Sequence, residues 1–473
     1  MEGIPIAFES DNPTPAQAQR LISLYADGDL QQALLLCRQL LLTSPASSFL
    51  YNIQGASQLG LGQFDAAIAS YQQALKIEPL DAKTHFNLGI ALAENGDFAV
   101  AIASYRQALK INPDYVAAYV NLGNVHKDAG DLALAMDCYG QALKLDPGFA
   151  EVYCNMGNAL KDFGELDQAI SYYRQALQIQ PDYAEVHNNM GGALNHKGER
   201  EQAANCYMHA LDLSPEYADA AWNLVGTAVS IDDARNWVEK CLSLDPEYFN
   251  AQFTLCALDC FRGDRNTFNV LLTSPLNEHP AVRSLAWVLS LPKLPELLFN
   301  RWVFFDYVVQ QSNQERPFYE FGVFRGEAFK YLIKTYNKGF GFDTFEGLPE
   351  DWHDERAGSY SSEGNIPEVK GGDFVVGKFE DTLPAFFSQT RPVASVINFD
   401  ADLYSSTLCA LEASKSVIDA STILIFDELL MNEQWEQDEY KALNEFCSAN
   451  ACSFEVLAVS FFTKQVAVKL VGF

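Results

Sequence analysis

A 34-residue period dominates the first half of this chain of 473 residues. Prolines mark it, at Pro45, Pro79, Pro113, Pro147, Pro181 and Pro215. A period of this length is typical of tandem helical hairpins, in which each hairpin buries its apolar face only against its neighbours. The sequence therefore predicts that residues 14–252 form an all-α array of stacked helix pairs.

Small residues recur at two positions of each unit and allow the paired helices to approach closely. They are Gly55, Gly89, Gly123, Gly157 and Gly191 in the first helix, and Ala67, Ala101, Ala135, Ala169 and Ala203 in the second. Tyrosines follow these alanines by four residues, at Tyr71, Tyr105, Tyr139, Tyr173 and Tyr207. We expect the tyrosines to fill the space between neighbouring repeats. This pattern resembles the tetratricopeptide repeat, which implies a superhelix.

One recurring position is polar. It holds Asn87, Asn121, Asn155, Asn189 and Asn223, on the first helix of successive units. A row of carboxamides can pair with the N–H and C=O groups of an extended peptide. The row resembles the asparagine ladder in the repeats of the O-linked N-acetylglucosamine transferase. Either these side chains bind a peptide or protein, or each bonds to the adjacent repeat.

Composition narrows the class of partner. The chain carries 32 Lys and Arg against 62 Asp and Glu, a formal charge of -30, which disfavours nucleic acid and anionic lipid. The sequence has no leader-like basic and apolar N-terminal segment and no apolar run long enough to span a membrane. Its ten cysteines lack the paired spacing of zinc or redox sites. We therefore expect a cytoplasmic protein.

The pattern changes after the array. Residues 253–295 read as a packed helical connector. From residue 296 a predicted helix is followed by apolar runs at 317–322, 338–343, 373–379, 394–400, 421–427, 453–459 and 463–471. Helical stretches separate the first five runs, which predicts a parallel sheet finished by an antiparallel pair. Residues 296–473 thus fit the Rossmann-like α/β fold of class I methyltransferases, with seven strands.

The ends of the first three predicted strands carry residues suited to an adenosyl ligand. Gly322 and Gly326 follow Glu320 at a strand-to-helix turn and let the backbone approach a ligand. Asp343 ends the second strand, where a carboxylate can bind ribose hydroxyls or cap the following turn. Phe379 and Glu380 follow the third strand and offer a ring and an acid to adenine.

The next two strand ends carry carboxylates. They are Asp400, Asp402, Asp427 and Glu428. Like charges that converge at one edge of a sheet need a counter-ion, which a divalent cation such as Mg²⁺ can supply. Such a cation can also lower the pKa of a substrate hydroxyl.

Several segments together carry a family resemblance. EFGVFRGEAF, GFDTFEGLPEDW, VVGKFEDTLPAFF, FDADLYSST and IFDELLMNEQWEQDEYKAL resemble the macrocin O-methyltransferase (TylF-like) family. The resemblance covers residues 296–473. It implies S-adenosylmethionine as cofactor, metal assistance, and a sugar hydroxyl as methyl acceptor.

Matched residue by residue, the resemblance gives each group a role. Glu320, Gly322 and Gly326 would line the methionine and ribose part of the cofactor, Asp343 the ribose, and Phe379 with Glu380 the adenine. Asp402, Asp427 and Glu428 would hold the metal. Asp400 or Asp402 would be the catalytic base.

The segment from Gly347 to Gly372 is too long for a simple connection and is predicted to be a lid over the substrate. It contains His353, a rival base that is more simply read as a solvated loop residue.

The sequence therefore predicts an O-methyltransferase whose repeats recruit a sugar-containing small-molecule acceptor or a partner. A protein or peptide methyltransferase that uses the repeat groove is one alternative, and a catalytically silent repeat scaffold is another.

Overall fold

The computed structural model of the chain describes residues 12–349, 361–362, 364–401 and 403–473. The chain divides into two compact units, one that ends at Asn189 and one that runs from Met190 to Phe473.

The first unit is entirely α-helical in its described residues. Its helices are α1 (Pro15–Ala26), α2 (Leu30–Leu41), α3 (Ser48–Gly60), α4 (Phe64–Ile77), α5 (Ala82–Glu94), α6 (Phe98–Ile111), α7 (Val116–Asp128), α8 (Leu132–Leu145), α9 (Ala150–Asp162) and α10 (Leu166–Ile179). Helix α11 (Ala184–His196) begins in this unit and ends in the second. The helical hairpins predicted from the 34-residue period are confirmed.

The recurring glycines and tyrosines contact each other within a repeat. A methyl group added to Gly123 would lie 2.5 Å from the Tyr139 ring, and one added to Gly89 would lie 2.6 Å from Tyr105. Both tyrosines are buried. Each ring packs on the first helix of its own hairpin. Tyr105 also belongs to one buried cluster with Leu122 and Val125 of the next repeat, between the repeats as the sequence predicts.

The second unit begins with helices that continue from α11. Its helices are α12 (Arg200–Leu213), α13 (Ala218–Val225), α14 (Ile231–Leu244), α15 (Phe249–Phe261), α16 (Asn266–Leu272), α17 (Pro280–Ser290), α18 (Arg301–Gln311), α19 (Glu327–Tyr336), α20 (Phe379–Phe387), α21 (Tyr404–Ser414) and α22 (Glu439–Ala449). The strands are β1 (Glu296–Leu297), β2 (Phe318–Phe321), β3 (Gly339–Asp343), β4 (Gly372–Val376), β5 (Val396–Phe399), β6 (Ile423–Phe426), β7 (Ser453–Val459) and β8 (Val466–Val471).

These strands form one mixed sheet in the order β1-β7-β8-β6-β5-β2-β3-β4. Strand β8 is antiparallel to both of its neighbours, and the other pairings are parallel. The sequence predicted seven strands, but the described residues contain eight. The extra strand, β1, lies where a helix was predicted, because its two residues pair with Ala458 and Val459 of β7.

A row of phenylalanine rings fixes the level of the strand ends. Phe321 stacks on Phe342 at 4.8 Å and on Phe399 at 5.4 Å, and Phe399 stacks on Phe426 at 5.0 Å between ring centroids. These residues are partners in the strand register. The next residue along each strand is polar or glycine. The stacked row therefore brings Gly322, Asp343, Asp400 and Asp427 to one level of the sheet edge.

One hydrophobic core joins the sheet to the helices before it. Val225 of α13, Val238 of α14, Phe253 of α15 and Leu285 of α17 belong to the same cluster of buried residues as Phe426 of β6. Phe253 and Phe461 pack edge to face, with centroids 5.7 Å apart. The helical segment 253–295 is thus part of the core of this unit.

No helix in the described part of the chain is long and apolar enough to cross a membrane. The ten cysteines, all in described residues, are free thiols.

Candidate functional site

A cavity of about 470 Å³ opens at the carboxyl ends of the parallel strands in the second unit. Strand β2 lies between β3 and β5, so the chain runs outward from β2 in both directions along the sheet. Ligands of open α/β sheets bind in the crevice that such a reversal creates. The cavity volume is within the range of small-ligand sites.

Most of the residues predicted for the site line this cavity. They are Gly322, Asp343, Phe379, Glu380, Asp400, Asp427 and Glu428. Glu320 and Gly326 are not among its lining residues. Asp402 lies outside the described residues. The roles predicted for all of these residues remain predictions.

Close packing against Asp400 and hydrogen bonds to Asp343 hold the turn after β2 in place. Gly322 has φ +86°, and a methyl group added there would lie 1.8 Å from the carbonyl oxygen of Asp400. The Asp343 Oδ2 atom accepts hydrogen bonds from the backbone N–H groups of Val323 and Phe324, each at 2.7 Å. Its Oδ1 atom accepts one from Phe345 N, also at 2.7 Å. Asp343 therefore fixes both turns while its carboxylate still faces the cavity.

Phe379 and Glu380 begin helix α20, which follows strand β4 at the edge of the sheet. The Phe379 ring is half-buried and meets Phe321 edge to face, with centroids 5.7 Å apart. Glu380 is exposed. Phe379 and Glu380 thus both lie on the cavity wall, and the adenine contact predicted for them remains a prediction.

Glu320 lies on strand β2, where it is only 1% exposed. Its Oε2 atom has no hydrogen-bond partner in the described residues, and the same holds for both amide atoms of Asn398, its partner in the strand register. Burial raises the pKa of Glu320 well above its usual value. This pair forms a buried polar spot in the sheet, outside the cavity lining.

An arginine connects the carboxylates after β5 and β6. The Arg301 guanidinium, at the start of α18, donates to Asp400 Oδ2 at 2.8 Å and lies 3.3 Å from Asp427 Oδ1. Burial raises the pKa of Asp400 to about 7, and the Asp427 carboxylate adds to this increase, while Arg301 opposes it. Arg301 therefore supplies a counter-charge at the place where the sequence called for a cation.

The predicted metal ligands have other partners in the described residues. Gln465 Nε2 donates to Asp427 Oδ1 at 2.6 Å, and Lys464 Nζ donates to Glu428 Oε1 at 3.0 Å. No group of three His, Cys, Asp or Glu in this part of the chain is arranged to hold a metal ion. Asp402 lies outside the described residues, so the metal site predicted for Asp402, Asp427 and Glu428 remains a prediction.

Several further lining residues were not predicted from the sequence, and Arg301 and His196 are two of them. Arg301 had one local signal, because the preceding Asn300 is a favourable N-cap and marks a helix start there. His196 had none, because it is a single histidine at the end of a repeat helix.

Twelve of the 26 residues of the predicted lid, 350–360 and 363, lie outside the described residues, and His353 is one of them. Gly347, Leu348 and Pro349, at its start, line the cavity. Ser362 Oγ donates to the carbonyl oxygen of Asn365 at 2.9 Å. The lid remains a prediction.

The asparagine row is partly exposed in every repeat. Asn189 Nδ2 donates to Cys154 Sγ of the preceding repeat at 3.8 Å, and Asn121 hydrogen bonds with the Tyr105 side chain of the preceding repeat. Contacts between repeats therefore exist at Asn121 and Asn189. Peptide binding by Asn87, Asn121, Asn155, Asn189 and Asn223 remains a prediction.

Tetratricopeptide-repeat family models match residues 54–116, 150–183 and 184–217, and a model described as TPR repeat matches residues 123–164. Residues 54–217 thus contain tandem tetratricopeptide repeats. A comparison with curated proteins finds no match.

Solved structures similar to this chain include three proteins that each match less than half of its length. The MamA protein is 27% identical, with 36% of this chain and 94% of that chain covered and a TM-score of 0.32. YrrB, described as a TPR protein with an unusual peptide-binding site, is 20% identical, with 40% and 96% covered and a TM-score of 0.32. PilF of Pseudomonas aeruginosa is 21% identical, with 42% and 91% covered and a TM-score of 0.37.

Proposed function

We propose that this chain, which carries tandem tetratricopeptide repeats at residues 54–217, is an S-adenosylmethionine-dependent methyltransferase that acts on a hydroxyl oxygen. The acceptor is a sugar or a glycosylated metabolite, and the repeats recruit that acceptor or a partner protein. One observation carries the proposal: a single cavity collects residues from five consecutive strand ends, β6, β5, β2, β3 and β4.

The cavity lining suits an adenosyl ligand in both shape and chemistry. Leu348, Pro349 and Phe379 give it apolar surface, and Asp343 and Glu380 give it hydrogen-bond acceptors. In the proposal Asp343 binds the ribose hydroxyls, Phe379 lies against the adenine ring, and Glu380 accepts from the adenine amino group. Gly322 keeps the backbone of the first turn close to Asp400, so that the cavity floor stays narrow.

The cofactor, when bound, supplies a methyl group already activated by a sulfonium centre. The role of the protein is then mainly to position the cofactor and the acceptor and to balance the charges around them. Arg301 offsets the repulsion between the Asp400 and Asp427 carboxylates, since its guanidinium group contacts both of them. Asp400 then accepts a hydrogen bond from the hydroxyl group that is to be methylated. Asp402 is the other candidate base. Mg²⁺, if required, would be held by Asp402, Asp427 and Glu428.

The adenine contact can be tested with a substitution that leaves the fold alone. Glu380 and Asp381 are both exposed in the first turn of α20, but only Glu380 lines the cavity. We expect Glu380→Gln to weaken S-adenosylmethionine binding by about threefold to tenfold, because the neutral amide oxygen makes a weaker hydrogen bond to the adenine amino group than the charged carboxylate does. Asp381→Asn is the matched control and should bind like the wild-type chain.

Isothermal titration of S-adenosylmethionine into the full-length chain provides the measurement, with and without Mg²⁺. Absence of binding by the wild-type chain under both conditions would contradict the proposed function and favour the repeat scaffold. Equal affinities of the Glu380→Gln and Asp381→Asn variants would refute only the adenine assignment. Transfer of a labelled methyl group to a panel of methyl glycosides then tests the acceptor class.

A second candidate function, binding of an extended peptide, rests on the asparagine row. Asn121 and Asn155 are partly exposed at equivalent places in successive repeats of the first unit. We expect the double variant Asn121→Ala, Asn155→Ala to lose about 2–6 kcal/mol of affinity, since it removes two pairs of peptide hydrogen bonds, each bond being worth about 0.5–1.5 kcal/mol.

A peptide array probed with the labelled full-length chain checks this expectation. The control is Gln141→Ala, which changes a partly exposed polar residue of α8 that is not part of the row. Peptides that bind the wild-type chain and the double variant equally would exclude the row as their site. They would also leave the protein-methyltransferase alternative without its recognition element.

A further inference from the structure

Helix α11 ends in the wall of the cavity. Its last residue, His196, lines the cavity together with Arg301, Asp400 and Asp427. Helix α11 also belongs to the repeats, because the repeat models extend over residues 184–217. A side chain of a tetratricopeptide repeat is therefore part of the same cavity as the ends of the β-strands.

A set of hydrogen bonds holds this end of α11 in place. Asn300 Nδ2 donates to Asn195 Oδ1 and to the carbonyl oxygen of Gly226, each at 2.8 Å. Trp302 Nε1 donates to the carbonyl oxygen of Asn195, also at 2.8 Å. Asn300 and Trp302 are both buried. The residue directly before His196 is thus bonded to the residues on either side of Arg301, which fixes the histidine beside that arginine.

These bonds put His196 at a defined end of the cavity. Arg301 contacts the carboxylates that follow β5 and β6, whereas Phe379 and Glu380 follow β4. Strand β6 and strand β4 are four positions apart in the sheet, or about 19 Å at the usual spacing between strands. His196 therefore lies at the carboxylate end, away from the residues assigned to adenine.

The His196 side chain is exposed and lines the cavity. Its neighbour Asn195 makes the hydrogen bonds to Asn300 and Trp302 that fix this end of α11. An imidazole can both donate and accept hydrogen bonds, which suits it to a hydroxyl ligand. The exposed ring thus adds a polar group to the cavity wall at little structural cost.

We propose that His196 is an acceptor-binding residue, supplied to the site by the first helix of the last matched repeat, and that it holds the acceptor hydroxyl opposite Asp400. This inference rests on the proposed methyltransferase function. It means that the α/β part of the chain has an incomplete acceptor site without the repeats.

Chemical labelling of histidines tests the position of His196 without knowledge of the acceptor. The full-length chain is treated with diethyl pyrocarbonate, with and without S-adenosylhomocysteine, and each labelled histidine is quantified by mass spectrometry. We expect labelling of His196 to fall about threefold or more when the cavity is filled, because a ligand in a site of this kind excludes solvent from most of its walls. His209 is the control, an exposed histidine of α12 that does not line the cavity.

The outcomes separate the two proposals. Calorimetric binding of S-adenosylhomocysteine with protection of His196 alone supports the inference. Binding with equal labelling of His196 in both states overturns the inference and leaves the proposed function standing. Absence of binding overturns the proposed function, and the role of His196 with it.

Substitution supplies a second measurement on any methyl glycoside that the chain methylates. We expect His196→Ala to raise the KM for that acceptor about tenfold, the effect of one lost hydrogen bond, with the Kd for S-adenosylmethionine unchanged. His196→Gln, which keeps a donor and an acceptor, should recover part of the loss. An unchanged KM in His196→Ala, or an equal loss of cofactor affinity, would show that His196 does not bind the acceptor.

Discussion

The Gly322→Ala variant is expected to lose S-adenosylmethionine binding and to lower the free energy of unfolding of the second unit by about 3 kcal/mol or more. A left-handed backbone costs a non-glycine residue about 1–2 kcal/mol. The added methyl group would also lie 1.8 Å from the Asp400 carbonyl oxygen, and both atoms are fixed by the backbone. The turn after β2 must therefore move away from β5, which opens the floor of the cavity.

Tryptophan fluorescence during urea unfolding measures this effect on the full-length chain. All six tryptophans follow residue 189, so the signal reports the second unit alone. Gly364→Ala is the matched control, because Gly364 has φ +76° but no atom within 4 Å of an added methyl group. Equal unfolding midpoints for the two variants would mean that the contact with Asp400 is unimportant.

The second large effect is expected in the repeats. Gly123→Ala would place a methyl group 2.5 Å from the buried ring of Tyr139, and the helices α7 and α8 must separate to accept it. Overpacking of this kind costs about 1–3 kcal/mol. Gly140→Ala provides the opposite case in the same repeat, since nothing lies within 4 Å of its added methyl group. That substitution should stabilise α8 by about 0.5–1 kcal/mol.

Hydrogen exchange of the full-length chain resolves both changes locally. We expect faster exchange of amides in α7 and α8 for Gly123→Ala and slower exchange for Gly140→Ala. The double variant Gly123→Ala, Tyr139→Leu should destabilise by less than the sum of its two single changes, because the second change makes room for the first. Additive effects would contradict the proposed contact between Gly123 and Tyr139.

The repeats could be predicted from the sequence because their contacts are local. Each Gly–Tyr pair lies within one hairpin, and the same pair recurs with the period, so one interpretation serves several repeats. The strands that end in Phe-Asp were also predictable, since Asp343, Asp400 and Asp427 follow runs of apolar residues. Strand β1 was not, because a two-residue strand is decided by its pairing with β7 and not by its own sequence.

The site could be predicted only in part, because some of its contacts join residues that lie far apart in the sequence. Gly322, Asp343 and Asp400 each follow a strand, so their convergence follows from the parallel sheet. Arg301 meets Asp400 across 99 residues of chain, and Asn195 meets Asn300 across 105. Such contacts depend on how helices α11 and α18 pack in three dimensions. No periodicity or strand pattern in the sequence reports that packing.

The position of β8 has a consequence for synthesis of the protein. This strand is the last of the eight to leave the ribosome, yet it lies inside the sheet between β7 and β6. The sheet therefore stays open at that place until Val471 has emerged. The repeats can fold as they are made, since their contacts are local, whereas the sheet must wait with apolar edges uncovered. Nascent chains are thus most exposed to aggregation, and most in need of a chaperone, during synthesis of the second unit.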